Sequence, residues 1–302
     1  TPKRAVKLYK EYGSDTMGIV KNHPYRLCEL AGIGFKTADK IALSMGFNVL
    51  SPERIDEGIL YTLTDAEGKG HLCIEKDKFI KECLKTLDTP EITDNMVAVQ
   101  ANELIRSQRI CVYDDCLYSG RTFVAEKVLA IYLQKQLTHN RTYYYSNLDA
   151  ELDKEEKQLN IKFAPEQREA VKTALTNGIS IVTGGPGTGK TLIQRAILDI
   201  YSRNYPKNII CCCAPTGRAA RRMEESTGYA SSTVHKTLCL MASEDGEYSN
   251  PENIDADLVL IDECSMLDIY LSGNIFKALK NGNQIIFVGD ADQLPSVGPG
   301  AV

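Results

Sequence analysis

Eight residues constrain this chain more than any others: Gly184-Gly185-Pro186-Gly187-Thr188-Gly189-Lys190-Thr191. They fit the phosphate-loop pattern G-x-x-x-x-G-K-[ST] without a mismatch. The flanks agree with it. Ile179 to Thr183 reads as a short buried strand, and Thr191 to Leu198 as an apolar-periodic helix. A triphosphate is held by backbone N–H groups, so the chain has to wrap closely with no Cβ in the way. The helix N-terminus adds partial positive charge. On this pattern Gly185, Gly187, Thr188 and Gly189 form the cradle, Lys190 reaches the β- and γ-phosphates, and the Thr191 hydroxyl binds Mg²⁺. The bland alternative is a glycine-rich turn that ends in Lys-Thr; the strand and helix on either side argue against it.

The second half of a nucleotide site follows downstream. From Phe163 strand and helix patterns alternate, which implies a parallel sheet. Asp257 to Glu263 is an apolar strand ending in two acids, with Asp262 placed to hold Mg²⁺ and Glu263 to orient and deprotonate a water. Gln284 to Val288 is a further strand, and the tip beyond it brings Gln293 within reach of a γ-phosphate. Asn208 to Cys213 is another strand. It leads into Ala214-Pro215-Thr216-Gly217-Arg218, a turn at the carboxyl end of the sheet where ligands bind. Ser232 to His235 opens a short helix, and His235 taken alone suits a structural role equally well. Gln167, at the start of a helix about twenty residues before the loop, either grips an adenine with its amide or is an ordinary helix-start glutamine.

The amino-terminal part has a different texture. Lys3 to Gly13 repeats in Lys36 to Gly46, each a helix closed by a glycine. Before the second copy stand a helix over 25–31 and then Gly32-Ile33-Gly34, the order of a helix-hairpin-helix module. In such a module the glycines at 32 and 34 let backbone N–H groups approach a nucleic-acid phosphate without reading sequence; packing alone is the competing role. The first copy lacks its leading helix, so the chain is expected to begin partway through a tandem pair. Residues 51–137 read as helix, strand, two helices and a hairpin, a winged-helix order. Its third helix carries few basic residues, which favours a structural or partner-facing role. Residues 138–162 read as a linker or surface helix, with Glu151 to Lys157 a solvated face. Tyr143 to Tyr145 would pack against a neighbour or stack on bases. The boundaries are thus 1–50, 51–137, 138–162 and 163–302.

Net charge is -5, but residues 1–50 carry eight Lys/Arg against four acids. That local +4 leaves -9 on the remainder, a small basic module on an acidic body. The ten cysteines include no Cys-x-x-Cys pair and read as reduced thiols of a cytosolic protein. No apolar run approaches the roughly 20 residues of a membrane span, and Thr1-Pro2-Lys3-Arg4 opens no signal peptide.

Taken in order, Gly-Gly-Pro-Gly-Thr-Gly-Lys-Thr, Ala-Pro-Thr-Gly-Arg-Ala-Ala, Thr-Val-His-Lys, Ile-Asp-Glu-Cys-Ser-Met and Gly-Asp-Ala-Asp-Gln-Leu-Pro-Ser-Val-Gly-Pro-Gly resemble the first motor domain of the RecD-like group of superfamily 1 DNA helicases. The hairpin Gly32-Ile33-Gly34-Phe35-Lys36-Thr37-Ala38-Asp39 resembles the long bacterial form of that group. The resemblance implies a RecA-like P-loop motor domain with a parallel sheet, preceded by all-α helix-hairpin-helix and winged-helix-like modules. It implies ATP and Mg²⁺ as cofactors, hydrolysis coupled to 5′-to-3′ movement on single-stranded DNA in repair or recombination, a bacterial cytoplasmic location and a monomer. Gln167 would bind adenine, and Pro215, Thr216, Arg218 and His235 fall in the segments that touch DNA. Gln293 would link the γ-phosphate to the DNA track, and Leu238 to Asn253 is expected to form a strand-separating pin. Two departures stand out. Ala164 replaces the usual capping Asn or Thr, a cap worth about 0.5–2 kcal/mol. The chain stops at Val302, before a second motor domain, so the expectation is of nucleotide binding with very slow hydrolysis and no unwinding. Other readings are a different P-loop ATPase of DNA repair and a non-enzymatic DNA-binding module with an inert nucleotide fold. ATPase measured with and without single-stranded DNA separates the first, and Lys190→Ala the second.

Overall fold

The computed structural model describes residues 2–30, 32–139, 143–241, 249–293 and 296–300. The chain divides into two compact units, the first running to Val124 and the second taking up from Ala125.

In the first unit α1 (Pro2–Tyr12) and α2 (Thr16–Asn22) are separated by a short 3₁₀ turn. Gly13 closes α1 with φ +56°, and Gly46 follows α3 (Phe35–Ser44) with φ +81°, so both repeat glycines take the left-handed form expected of them. The helix expected over 25–31 is instead a 3₁₀ helix, Pro24–Glu29. Its bonds close three residues back, as where Arg26 N donates to His23 O at 3.1 Å and Leu30 N to Leu27 O at 3.2 Å. Next come α4 (Pro52–Glu67), β1 (Cys73–Glu75), α5 (Lys76–Leu87), α6 (Asp94–Arg106), β2 (Ile110–Tyr113) and β3 (Cys116–Ser119). Ser51 Oγ caps α4 by accepting from Arg54 N at 3.3 Å, and Thr93 Oγ1 caps α6. Asp114 and Asp115, both at positive φ, make the two-residue turn of the β2–β3 hairpin. The antiparallel sheet runs β1-β3-β2, the winged-helix arrangement.

One hydrophobic cluster runs through this unit, from Tyr25, Phe35 and Ala38 to Ile55, Phe79, Leu104 and Leu117. At its side lies Arg54, 2% exposed. Its guanidinium grips Asp39 with Nε–Oδ1 at 2.7 Å and Nη2–Oδ2 at 3.0 Å. It also donates to Val49 O, Thr89 Oγ1 and Leu87 O. Tyr25 Oη donates to the same carboxylate at 2.6 Å. Asp39, read in the sequence as part of the hairpin motif, is therefore the anchor that ties α3 to α4 and to the end of α5.

The second unit takes up α7 (Gly120–Thr138) from Ala125 and continues with α8 (Leu148–Leu159), α9 (Pro165–Thr176), β4 (Ile179–Thr183), α10 (Lys190–Asn204) and β5 (Ile210–Ala214). Then follow α11 (Gly217–Thr227), β6 (Ser231–Thr233), α12 (Val234–Thr237), β7 (Leu258–Ile261), α13 (Ile269–Ala278) and β8 (Gln284–Gly289). All five strands pair in parallel, in the order β4-β8-β7-β5-β6. The strand period of two sends Leu258, Leu260, Ile286 and Val288 to one face, against α8, α9 and α10. Val259, Ile261, Ile285 and Phe287 go to the other, against α13 and Leu129, Tyr132 and Leu133 of α7.

Two expectations change here. The 151–157 segment is a solvated face only in part: Asp153, Lys154 and Lys157 are exposed, but Leu152 and Glu155 of α8 are fully buried. Burial of Glu155 is possible because Arg203 Nη1 meets it at 2.6 Å, while Arg168 holds Asp149, Asp153 and Glu156 along the same helix. Ser231 to Thr233 forms an edge strand before the short helix at His235, because its backbone pairs with Cys212 to Ala214. Tyr143 and Tyr145 pack with Tyr201 and Tyr205, while Tyr144 is exposed. The middle of the expected pin, 242–248, lies outside the described residues; its stems meet where Ser249 N donates to Met241 O at 3.0 Å. All ten cysteines are free thiols, as expected.

Candidate active site

The loop leaves β4 with Gly184 N donating to Gly289 O at 3.3 Å, so it starts in register with the end of β8. Gly187 and Gly189 sit at φ +76° and +87°, a region costly for any residue with a Cβ. A Cβ on Gly184 would lie 2.6 Å from Thr188 Oγ1, which itself donates to Gly185 O at 2.8 Å. At Gly184 and Gly189 the turn therefore leaves no room for a Cβ, and α10 begins directly behind it.

Lys190 folds over this loop. Its Nζ donates to Gly184 O and, at 3.0 Å, to Gly185 O, and lies 3.6 Å from Asp290 Oδ2. Asp290 is 2% exposed. Its carboxyl is held below the usual range, chiefly by the Asp292 N–H and further by Gln293 and Lys190. Gln293 Nε2 donates to Asp290 Oδ2 at 3.3 Å.

At the end of β7, Asp262 Oδ1 accepts from Gln194 Nε2 at 2.7 Å, and Asp262 N donates to Cys213 O at 3.0 Å. Burial raises the Asp262 carboxyl, and the Glu263 N–H, Gln194, Lys190 and Arg222 oppose that rise. Glu263 is raised by burial and by the neighbouring Asp262 charge, against Lys190 and Arg222. Glu263 also sits at φ +54°, a left-handed conformation whose cost, roughly 1–3 kcal/mol, is borne by the surrounding turn.

One cavity of about 560 Å³ gathers these groups. Its wall includes Gly185, Gly187, Gly189, Lys190, Thr191, Asp262, Glu263 and Gln293, together with Thr216 and Arg218. Of the residues singled out in this unit, Gln167, Thr188, Pro215 and His235 do not line it. Gln167 instead lies against the loop, with Nε2 donating to Thr188 O at 2.8 Å and Oε1 accepting from Ala164 N at 2.9 Å. Thr216 Oγ1 caps α11, and His235 is half-buried on α12. Gly32 and Gly34 belong to the first unit, both exposed on either side of buried Ile33, with Gly32 at φ +90°. Gln194 lines the cavity and Asp290 meets Lys190 beside it, and neither was singled out; Arg222, one of three arginines that follow the Ala214–Gly217 turn, lines it too. Gln194 stands four positions after Lys190, on the same helix face, and that spacing was the available signal.

The site fits a Mg²⁺-triphosphate. Gly185 and Gly187 have open space where a Cβ would stand, and Thr191 and Asp262 offer a hydroxyl and a carboxylate on one cavity wall.

Two family models match the chain: "ATP-dependent RecD2 DNA helicase HHH domain" over residues 1–73 and "AAA domain" over 167–299. The ATP-dependent RecD2 DNA helicase of Deinococcus radiodurans is 28% identical over 99% of this chain and 43% of its own length. The chain is thus similar to the RecD-like DNA helicases over nearly its whole length. The RecBCD enzyme subunit RecD of Mycobacterium tuberculosis is 28% identical over 92% of the chain and 48% of its own length. That of Haemophilus influenzae is 34% identical over 62% of the chain and 33% of its own. This chain thus spans less than half the length of these RecD-like relatives. Among solved structures, the Pif1 helicase from Candida albicans is similar over 45% of this chain and 34% of its own, at 24% identity and a TM-score of 0.33, too slight to carry an argument. Among the described residues no helix is long and apolar enough to cross a membrane.

Proposed function

We propose that this chain forms the nucleotide-binding half of an ATP-dependent DNA helicase that moves 5′ to 3′ on single-stranded DNA in repair or recombination. The observation that carries the reading is the single cavity shared by the phosphate loop, the Asp262–Glu263 pair, Gln293 and the Thr216–Arg218 turn. Bound Mg²⁺-ATP supplies the phosphoryl group whose transfer to water drives movement. Lys190 leaves the Gly184 and Gly185 carbonyls to hold the β- and γ-phosphates, and the Gly185, Gly187, Thr188 and Gly189 backbone cradles them. Thr191 and Asp262 hold the Mg²⁺, with Gln194 fixing the Asp262 rotamer. Glu263 orients the attacking water and takes its proton. Gln293, bonded to Asp290, reports on the γ-phosphate, and Gln167 meets the adenine. Pro215, Thr216, Arg218 and His235 follow the DNA strand, and the exposed backbone at Gly32 and Gly34 meets DNA phosphates. On this reading 1–50 is the helix-hairpin-helix, 51–137 the winged-helix-like module, 138–162 the connection and 163–302 the motor domain, acting as a monomer in the bacterial cytoplasm.

Equilibrium binding tests this. The chain should bind ATPγS only with Mg²⁺ and bind a single-stranded oligonucleotide independently. Lys190→Ala should lose the nucleotide and keep the oligonucleotide; His235→Ala should weaken the oligonucleotide and keep the nucleotide. A wild-type chain that binds neither ligand refutes the reading.

A further inference from the structure

The Lys190 ammonium is already engaged by the protein itself. An ammonium has three N–H donors and no acceptor. Here Nζ donates to Gly184 O and, at 3.0 Å, to Gly185 O, and it lies 3.6 Å from Asp290 Oδ2. The lysine side chain is 16% exposed and the aspartate side chain 1%. The donors and the charge that a triphosphate needs from the loop are therefore held by three acceptors of the chain. A phosphate obtains them only by drawing Lys190 away.

The three acceptors do not lose equally. Gly185 lines the open cavity, where water takes the place of the departing donor. Asp290 has no such outlet. Its carboxyl is held below the usual range, so it is charged at neutral pH, and its side chain is out of water. Once Lys190 leaves, its described partners are Asp292 N on Oδ1 at 3.1 Å and Gln293 Nε2 on Oδ2 at 3.3 Å. Neither carries a charge. A buried carboxylate that loses its cation stays desolvated. It is also left facing the incoming phosphates, like charge beside like charge. Both effects oppose binding.

We propose that Asp290 is a brake on the nucleotide site: its carboxylate holds Lys190 in the empty loop, and a triphosphate binds by displacing it. The proposal rests on the reading of the cavity as an ATP site. Asp290 is a positioning residue, because it acts on the phosphates through Lys190. The exchange also engages Gln293. When Lys190 leaves Oδ2, Gln293 Nε2 is the described donor that stays on that oxygen, so losing one contact strengthens the other.

A brake and a scaffold differ in sign: removing a scaffold weakens binding, and removing a brake strengthens it. The test is Mg²⁺-dependent binding of ATPγS and inorganic tripolyphosphate to the chain, with the rate at which acetic anhydride labels Lys190 read by mass spectrometry. Asp290→Asn keeps the size, keeps an acceptor for the Asp292 N–H and removes the charge. It should bind both phosphate ligands roughly five- to fiftyfold more tightly than wild type. Lys190 should label about three- to tenfold faster in it, since labelling needs the released side chain. Asp290→Ser, also neutral, should move both readouts the same way and serves where Asp290→Asn does not fold. In the wild type without ligand, Lys190 should label more slowly than exposed Lys207. Unchanged or weaker phosphate binding in the neutral variants, or wild-type labelling of Lys190 at the Lys207 rate, overturns the brake while the ATP site stands. Tighter binding with unchanged Lys190 labelling also overturns it, because the charge then acts on the phosphates directly. Absence of binding to both phosphate ligands by the wild type and the variants alike overturns the ATP site itself, and the brake with it.

Discussion

Replacing Arg54 with methionine is the sharpest test of how the first unit holds together. All five N–H groups of this guanidinium are bonded: two to Asp39 and one each to Val49 O, Thr89 Oγ1 and Leu87 O. Arg54→Met keeps most of the apolar stem and removes every one of those bonds. Asp39 is then a nearly buried carboxylate whose remaining described partner is Tyr25 Oη. Removing one member of a buried, hydrogen-bonded ion pair costs about 3–5 kcal/mol, because the other charge stays desolvated. Domains are stable by only about 5–15 kcal/mol, so this is a large share. The assay is native-state hydrogen exchange, which resolves each unit separately where a single melting curve would not. Slow amides of α3 and α4 should exchange roughly a hundred- to a few thousandfold faster, while those of β7 and β8 serve as an unchanged control. Adding Asp39→Asn should recover part of the loss, since it removes the orphaned charge. Exchange in α3 and α4 within threefold of wild type would refute the claim that Arg54 fastens the hairpin motif to the helices behind it.

Three further outcomes follow from the same geometry. Burial raises the Asp56 carboxyl to about 6, and its Oδ1 is buried without a partner; the folded state therefore holds a proton more tightly than the unfolded chain, whose carboxyl titrates near 3.8. Stability of the first unit should fall as pH rises from about 4 to about 6, and Asp56→Asn should flatten that slope and recover roughly 1 kcal/mol at pH 7, less than the full shift because solvent screens a half-buried carboxyl, read from urea titrations at each pH. Leu152→Ala should destabilise the second unit by about 2–5 kcal/mol, seen as faster exchange in α8 and α10; a change under about 0.5 kcal/mol would return α8 to the surface. Gly289→Ala, whose Cβ would stand 2.6 Å from Cys264 Sγ, should cost about 1–3 kcal/mol and weaken Mg²⁺-nucleotide binding, whereas Gly273→Ala, with nothing within 4 Å, should gain about 0.5–1 kcal/mol.

The second unit was largely legible because its signals are local. The Gly184–Thr191 run, the apolar strands before Asp262 and Asp290, and the 3.6-residue period of α10 each report on their own few residues, and the parallel sheet follows from their alternation. What the sequence hid was pairing at a distance. Nothing local marks Glu155 as buried; only the meeting with Arg203, 48 positions away, makes that burial affordable. Asp39 looked like one more residue of a hairpin motif until Arg54 reached it from α4. Ser231 to Thr233 has no alternation to announce a strand, and it is one because Cys212 to Ala214 offers an open ladder. At the site, Gln194 bonds Asp262 from 68 positions away and Asp290 meets Lys190 from another strand, so the roles of both come from contacts rather than from motif spacing.

Gly289 draws the scattered motifs into one place. Its carbonyl accepts from Gly184 N, which registers the start of the phosphate loop against the end of β8. Its missing side chain leaves the space taken by Cys264 Sγ and the backbone of Cys264 and Ser265, the turn that directly follows Glu263. The next residue, Asp290, meets both Lys190 and Gln293. The phosphate loop, the 264–266 turn and the end of β8 therefore share a single contact point, and each contact depends on a different attribute of it: a carbonyl, an absent Cβ, and the chain direction that follows. A strand that ended one residue earlier or later would reverse the side-chain alternation and send Asp290 away from Lys190. The requirement at 289 is for a small residue at a fixed register, and glycine is the residue that satisfies the contact with the 264–266 turn.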